Sequence, residues 1–388
     1  MPYNFNSGYG RAILEGTQPR SQNGKVFVVG AASLDNIRLV QDIFKGDPDG
    51  KLRWYSTLAS ALSSGVFQNV AAIAVTASAA ADTFTVASGT TGLNNGDKVI
   101  LQGTTAPSGA SKDLVYYVVG ATATSFKISL QRGGTAIDIT TAGTAVTYSP
   151  VISSGDTIYV LPGHNENVSS ATALNLNIAG VAVIGLGEDE DRPTFYLDTG
   201  TTSTITISAP AVKLQNVIID ATGFAAIASA VTITAPDVKI LGCKFILSNS
   251  TNQAVLAITT TAAANRLQIR GNYFGGTTDA GRTNDLQLVG GNDIVIADNV
   301  FIGAYTTSLG AINNATTAGL RWVIARNVIW NQTASSTKCI VLVSTTTAVI
   351  QDNRMQILSG TAPITGAAAM WVGSNYYAAT IATAGTLI

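Results

Sequence analysis

An all-β solenoid of stacked rungs is the fold class this sequence predicts, on three observations. The first is a repeat. From about residue 179 onward an apolar-x-apolar-x-x-Asn pattern recurs, ending at Asn216, Cys243, Asn272, Asn299, Asn327 and Asn353. These anchors are separated by 27, 29, 27, 28 and 26 residues, and a period in the twenties marks a repeat architecture. The second is alternation of apolar and polar residues over five or six positions, as in Ile294-Val295-Ile296-Ala297-Asp298-Asn299, which is strand periodicity. The third is composition. β-Branched residues dominate, and no apolar stripe persists at i, i+3, i+4. Units of this size made of short strands stack about 4.8 Å apart.

Each unit is expected to hold three strands. The anchor ends the first. An apolar pair follows it, such as Val217-Ile218, Tyr273-Phe274, Val300-Phe301 or Val328-Ile329. A Thr/Ser/Ala/Gly-rich stretch then carries a third strand, as in Ala230-Val231-Thr232-Ile233-Thr234 or Cys339-Ile340-Val341-Leu342-Val343. Asn suits the bend between strands, because it tolerates a left-handed backbone and its amide bonds to neighbours above and below. Asn216, Cys243, Asn272, Asn299, Asn327 and Asn353 are therefore expected to form one buried, hydrogen-bonded column. Cys243 fits it as a small, weakly polar substitute, and Gly185 marks the same bend one rung earlier. Seven or eight rungs result.

The chain before the repeat is different. Residues 1–24 form a Gly/Asn/Gln/Ser-rich arm with Tyr3, Phe5, Tyr9, Arg11 and Arg20 as its candidate anchoring side chains. The arm has no alternating pattern with which to bury its own surface. Lys25-Val26-Phe27-Val28-Val29 reads as a strand, Asp35 to Phe44 as a short helix, and Thr57 to Leu62 as a second helix capped by Ser56. Residues 69–150 read as six short strands, at 83–86, 98–101, 114–119, 126–130, 136–139 and 145–148. Asn94-Asn95-Gly96-Asp97 and Arg132-Gly133-Gly134 supply the turns. That pattern suits a small barrel or sandwich.

Charged residues are 12 % of the chain, and 22 Lys and Arg balance 23 Asp and Glu, so no basic field invites nucleic acid or a membrane surface. Met1 to Gly8 carry no signal-peptide pattern, and no apolar run reaches transmembrane length. Cys243 and Cys339 lie about three and a half rungs apart, too far for a bridge, and neither sits in a metal or redox motif.

The helix at Thr57–Leu62 and the later strand Gly155-Asp156-Thr157-Ile158-Tyr159-Val160-Leu161-Pro162-Gly163 together resemble the start of right-handed parallel β-helices, including those of tailed-phage virion proteins. In that family the helix covers the open end of the solenoid and the motif forms its first rung. Here about 90 residues separate the two parts. The inserted 69–150 segment is similar to small β-modules that phage structural proteins carry. The resemblance implies an anchoring arm at 1–24, a cap at 25–68, an inserted β domain at 69–150 and a parallel β-helix with a C-terminal cap at 151–388. It also implies a homotrimer on the virion surface, assembled in the host cytoplasm as a capsid decoration (cement) or head-fibre protein. Its partners would be itself, the major capsid protein or other virion proteins, with host-surface glycan a further possibility. A tailspike or depolymerase is the rival function, and an adhesin a third.

Enzymes of this fold class need carboxylates on neighbouring rungs. Beyond residue 191 there is no Glu, and Asp occurs at 198, 220, 237, 279, 285, 293, 298 and 352. Asp298 and Asp352 share a phase, but the column reads Gly271, Asp298, Arg326, Asp352, the pattern of a surface salt-bridge ladder. The run Glu188-Asp189-Glu190-Asp191 reads as a solvated turn without EF-hand spacing. His164 has no triad partner in phase. Tyr273, Phe274, Phe301 and Trp330 follow the anchors as packing residues. No catalytic residue, cofactor or metal is expected, and the chain is expected not to be an enzyme.

Overall fold

A computed structural model describes residues 26–31, 53–64, 73–151 (except 88, 90, 92 and 113), 156–378 (except 277–281, 306–308, 315, 334–335, 360–361 and 367–369) and 386–387. The arm with Tyr3, Phe5, Tyr9, Arg11 and Arg20, and the helix expected at 35–44, lie outside the described residues.

Among the described residues the solenoid is built from three sheets of 11, 10 and 8 strands, whose strands pair in parallel with their equivalents one turn away, except that Thr386–Leu387 closes the 10-stranded sheet antiparallel to Tyr376–Ala378. Sheet 1 contains Thr157–Val160, Ala182–Gly185 and Lys213–Gln215 and ends at Met370–Gly373. Its strands continue through a corner into sheet 2, for example Ile218–Asp220 and Tyr273–Gly275, and then into sheet 3, for example Val231–Ile233 and Ile258–Thr260. Most strands have three residues, so one side chain points inward or outward between corners. Sheet 1 sends Ile158, Val183, Leu214, Ile240, Ile269, Ile296, Ile324 and Ile350 inward in one column, all buried. Sheet 2 contributes Phe245, Phe274 and Phe301, with ring centroids 4.6 and 4.7 Å apart. Identical shapes at the rung spacing stack without gaps, which is why the repeat keeps its residue type at each inward position.

The sheet-1 count exceeds the seven or eight rungs read from the anchors. Rungs without an anchor Asn escaped that count. Val26–Val29 pairs with Thr157–Val160, and Trp54–Tyr55 pairs on the far side of Val26–Val29. The Thr157–Val160 motif is therefore the third strand of the sheet and not the first. At the other end, Asn375 repeats the anchor after only 22 residues.

The helix Leu58–Leu62 places Leu58, Ala61 and Leu62 in the solenoid core beside Phe27 and Ile158, closing the end. Its N-cap is Thr57 rather than Ser56. The Thr57 hydroxyl accepts from Ser60 N, and Ser60 Oγ accepts from Thr57 N in return. Between helix and motif sits a closed six-stranded antiparallel barrel, Ile73–Ser78 to Thr147–Val151, with its own core around Phe84, Tyr116, Phe126 and Tyr148. Residues 136–139 are not one of its strands. Ile137 N donates to Ile128 O and Ile139 is buried, so the segment packs along the wall while Ile73–Ser78 closes it. The alanines of Ile73–Ser78 hid that strand from pattern reading.

Candidate functional site

The anchor column exists, shifted by one residue at its first member. Asn272, Asn299, Asn327, Asn353 and Asn375 are buried in one file with Cys243 below them. Asn272 Oδ1 accepts from Cys243 N, and from Asn299 onward each amide oxygen accepts twice from the preceding rung: Asn299 Oδ1 takes Asn272 N and Nδ2, both at 2.9 Å. Each amide nitrogen also donates to a strand carbonyl, as Asn299 Nδ2 to Ile269 O at 2.9 Å. Asn216 is not in this file. It pairs in register with Gly242, and Val217 occupies the ladder position. Asn216 takes the left-handed corner itself (φ 56°), donating to Gly185 O and Gly187 O. What looked like an extra residue before Cys243 is the regular length. The same offset moves the inward residue of the next strand from Ile218 to Ile219. Burial pushes the Cys243 thiol up to about 11, and both cysteines are buried and unbridged, so neither is a nucleophile.

The left-handed corner is the residue before Cys243 and before each ladder Asn: Gly242, Gly271, Asp298, Arg326, Asp352 and Ser374. A second left-handed file borders the other edge of sheet 1: Gly180, Ala211, Asp237, Arg266, Asp293 and Arg321. Charged residues at such corners project outward one rung apart, and they pair. Arg266 holds Asp237, Arg321 holds Asp293 and Arg326 holds Asp298, each through two nitrogens, the shortest contacts being 2.7, 2.6 and 2.7 Å. The Arg321 and Arg326 guanidiniums hold the Asp293 and Asp298 carboxyls below the ordinary aspartate range. A carboxyl so held stays ionised and is a poor general acid.

The sign of the resulting pH dependence follows. A depressed carboxyl contributes stability that is present above its ordinary pKa of about 3.9 and is lost as pH falls through the folded value. The pairs face water and are screened, so the effect is small. An Asp293→Asn, Asp298→Asn double variant should melt within a few degrees of wild type at neutral pH, and the two should converge below about pH 4. A gap that widens in acid would contradict this assignment.

The other predicted positions resolve as follows. Glu188 precedes an exposed turn, Asp189–Asp191, in which Glu190 pairs with Lys244 at 2.5 Å. His164 does have a carboxylate partner: its Nε2 lies 3.0 Å from Glu166 Oε2. Glu166 is committed elsewhere as well, accepting from Leu58 N and Ala59 N at 2.6 and 3.1 Å, so the pair ties the end-capping helix to the solenoid. Phe274 and Phe301 pack inside, but Tyr273 is 37 % exposed on the outer face of sheet 2, and Trp330 faces outward and is half-buried. Among the described residues no three His, Cys, Asp or Glu side chains group to hold a metal.

Sequence reading missed a buried charge set. Arg282, Asp285 and Tyr305 are all buried; Arg282 Nε donates to Asp285 Oδ1 at 2.8 Å, and Tyr305 Oη donates to Asp285 Oδ2 at 2.5 Å. Arg282 Nη2 also reaches Ile302 O at 2.7 Å, a path open because residue 303 is glycine; a Cβ there would fall 2.2 Å from Nη2. Burial raises the Asp285 pKa despite the guanidinium. The spacing Arg282-x-x-Asp285 was visible, but nothing local marks a charge pair as interior. Asp198 and Asp220 also fall on neighbouring rungs. Asp220 Oδ1 is engaged by Thr222 N and Oγ1, and Asp198 by Asn167 Nδ2 and Thr199 Oγ1.

No protein-family model matches the chain, and no curated protein matches it. Among solved structures it is similar to the tailspike protein gp49 from Pseudomonas phage LKA1, with 14 % identity over 80 % of this chain and 60 % of that one, at a TM-score of 0.33. It is also similar to the gp54 tailspike of Acinetobacter baumannii bacteriophage AP22, solved in complex with A. baumannii capsular saccharide. There the identity is 11 % over 100 % of this chain and 66 % of that one, at a TM-score of 0.30. The chain thus spans less than two thirds of either. Its own strand register identifies it as an all-β, parallel β-helix protein.

Proposed function

We propose that this chain is a structural protein of a tailed-bacteriophage virion, a trimeric capsid decoration or head-fibre protein whose β-helix projects from the particle. The observation that carries a structural rather than catalytic role is the fate of the corner carboxylates. Asp237, Asp293 and Asp298 are each held by an arginine one rung away, so these three acids serve as ties between rungs. The arm at 1–24 is proposed as the anchor, with Tyr3, Phe5 and Tyr9 as apolar contacts and Arg11 and Arg20 as hydrogen-bond donors. Ordering such a segment costs about 1–2 kcal/mol per residue, which a platform or sister subunits would offset.

A glycan-binding tailspike is the second reading, favoured by two rings laid flat on the sheets. A Cβ at Gly275 would fall 2.7 Å from the Tyr273 ring, and one at Gly373 would fall 2.7 Å from the Trp371 ring. With Trp371 57 % exposed, each ring turns a face to solvent that could stack on a sugar.

Gold-labelled antibody on intact particles separates the readings. Label over the capsid supports decoration; label confined to the tail selects the tailspike. Purified protein is expected not to depolymerise host capsule or lipopolysaccharide, and turnover abolished by Asp298→Asn or Asp352→Asn would establish the enzyme instead. Deleting residues 2–20 should leave the fold intact and abolish incorporation.

A further inference from the structure

Sheet 2 turns an apolar face outward. Tyr273, Val300 and Val328 are register partners in one outward file, and Ile302 pairs with Trp330 in the file beside it. Ile246 and Gly275 are partners at the start of that second file. No charged residue interrupts these positions; Lys244 precedes the patch and Arg354 follows it. Tyr273 is 37 % and Val328 40 % exposed. Sheet 3 shows the contrast, since its outward file runs Thr206, Thr232, Thr259 and Gln287. Apolar side chains scattered singly on a surface need no explanation, but an unbroken patch across successive rungs marks an interaction surface.

The chain carries a complement to this face. The 25 residues before Val26 lie outside the described residues. Tyr3, Phe5 and Tyr9 are too few to make a core of their own, but they stand two and four residues apart. An extended arm therefore turns all three rings to one side. The arm leaves from Val26 in sheet 1, the sheet that continues round the corner into sheet 2. From there Tyr273 lies five rungs along the stack and Val328 seven, about 24 and 34 Å at the strand spacing. Drawn out, the arm reaches about 80 Å, so its aromatic tip can lie over the patch.

We propose that in the free protein the arm is stored on its own β-helix, with Tyr3, Phe5 and Tyr9 laid across the outer face of sheet 2 between Tyr273 and Trp330. This rests on the reading of the arm as the anchor and adds where that anchor is kept before it engages. Two apolar surfaces that would otherwise both face water then cover each other. Because the same three rings serve both contacts, storage and anchoring exclude each other. The arm leaves the sheet only where a platform binds it better, which holds free subunits back from premature association.

The test is a cross-link in dilute full-length protein before assembly. A Phe5→Cys, Val328→Cys variant treated with a short bismaleimide should join within one chain. Phe5→Cys combined with Thr259→Cys, on the polar outer face of sheet 3, should not. Cys243 and Cys339 are buried and do not compete. Trypsin cleavage at Arg11 and Arg20 is the second readout. Val328→Glu and Tyr273→Glu each place a charge under the rings and should speed that cleavage at least about tenfold, while Thr259→Glu leaves it unchanged. A thermal midpoint near that of wild type certifies the solenoid in each variant. Cross-links no more frequent than in the Thr259 control, or cleavage unaltered in both face variants, would overturn the storage site. Cross-links formed only between chains would overturn it too, giving the face to a second copy. Normal incorporation of protein lacking residues 2–20 strikes the anchor reading alone and leaves the cross-link standing.

Discussion

Asn327→Leu should destabilise the protein by about 3–5 kcal/mol, among the largest effects expected of any single change in the solenoid. Asn327 Oδ1 accepts from Asn299 N and Nδ2, both at 3.0 Å, and its Nδ2 donates to Ile296 O at 3.0 Å and to Asn353 Oδ1 at 2.9 Å. Leucine fills similar space but makes none of these bonds. Two donors of Asn299 and the Ile296 carbonyl are left buried without Asn327, and each orphaned group costs about 1–3 kcal/mol. The penalty exceeds any gain from burying the leucine, since the site is already dry. Asn216→Leu is the control. Asn216 sits at the outer corner, half-buried, with only its bonds to Gly185 O and Gly187 O to lose. It should cost about 1–2 kcal/mol, bond and left-handed strain together. Denaturant unfolding of both variants checks the pair; equal losses would mean that the ladder is no more buried than the corner.

Arg282→Met should cost about 3–5 kcal/mol for a different reason: it strands a buried carboxylate. Asp285 would keep Tyr305 Oη as a donor but lose its cation in a site that water does not reach. Removing both charges tests the cause. An Arg282→Met, Asp285→Leu double variant should recover a large share of the loss, because the desolvation penalty disappears with the charges. If the double variant loses as much as the two single changes added together, the damage comes from packing around Gly303 and Ile302 rather than from the uncompensated charge. The corner pairs offer the contrast within one molecule: the same Asp and Arg chemistry in water moves stability little.

Much of this fold was legible because a solenoid repeats its own physics. Each rung meets the same neighbours, so Ile269, Ile296, Ile324 and Ile350 recur at one inward position and the amides recur at the corner. Alternation and period therefore fixed the strand class, the three-strand rung, the buried Asn file from Asn272 to Asn353 and the surface tie of Asp298 to Arg326, though Asp352 does not extend that tie into a ladder. The period could not locate which of two adjacent corner residues turns left-handed. Asn satisfies either position, and only the pairing of Gln215 with Leu241 put Asn216 at the bend and Val217 in the file. Pairings distant in sequence were likewise decided by the tertiary structure. Trp54–Tyr55 stacks outside Val26–Val29, and a barrel closes with an alanine-rich strand that carries too little apolar contrast to be seen. The charges divide the same way. Whether an Arg and an Asp lie in water or in the core depends on which sheet covers them, so the buried Arg282–Asp285 pair and the exposed Arg326–Asp298 pair became distinct only once the rungs were stacked.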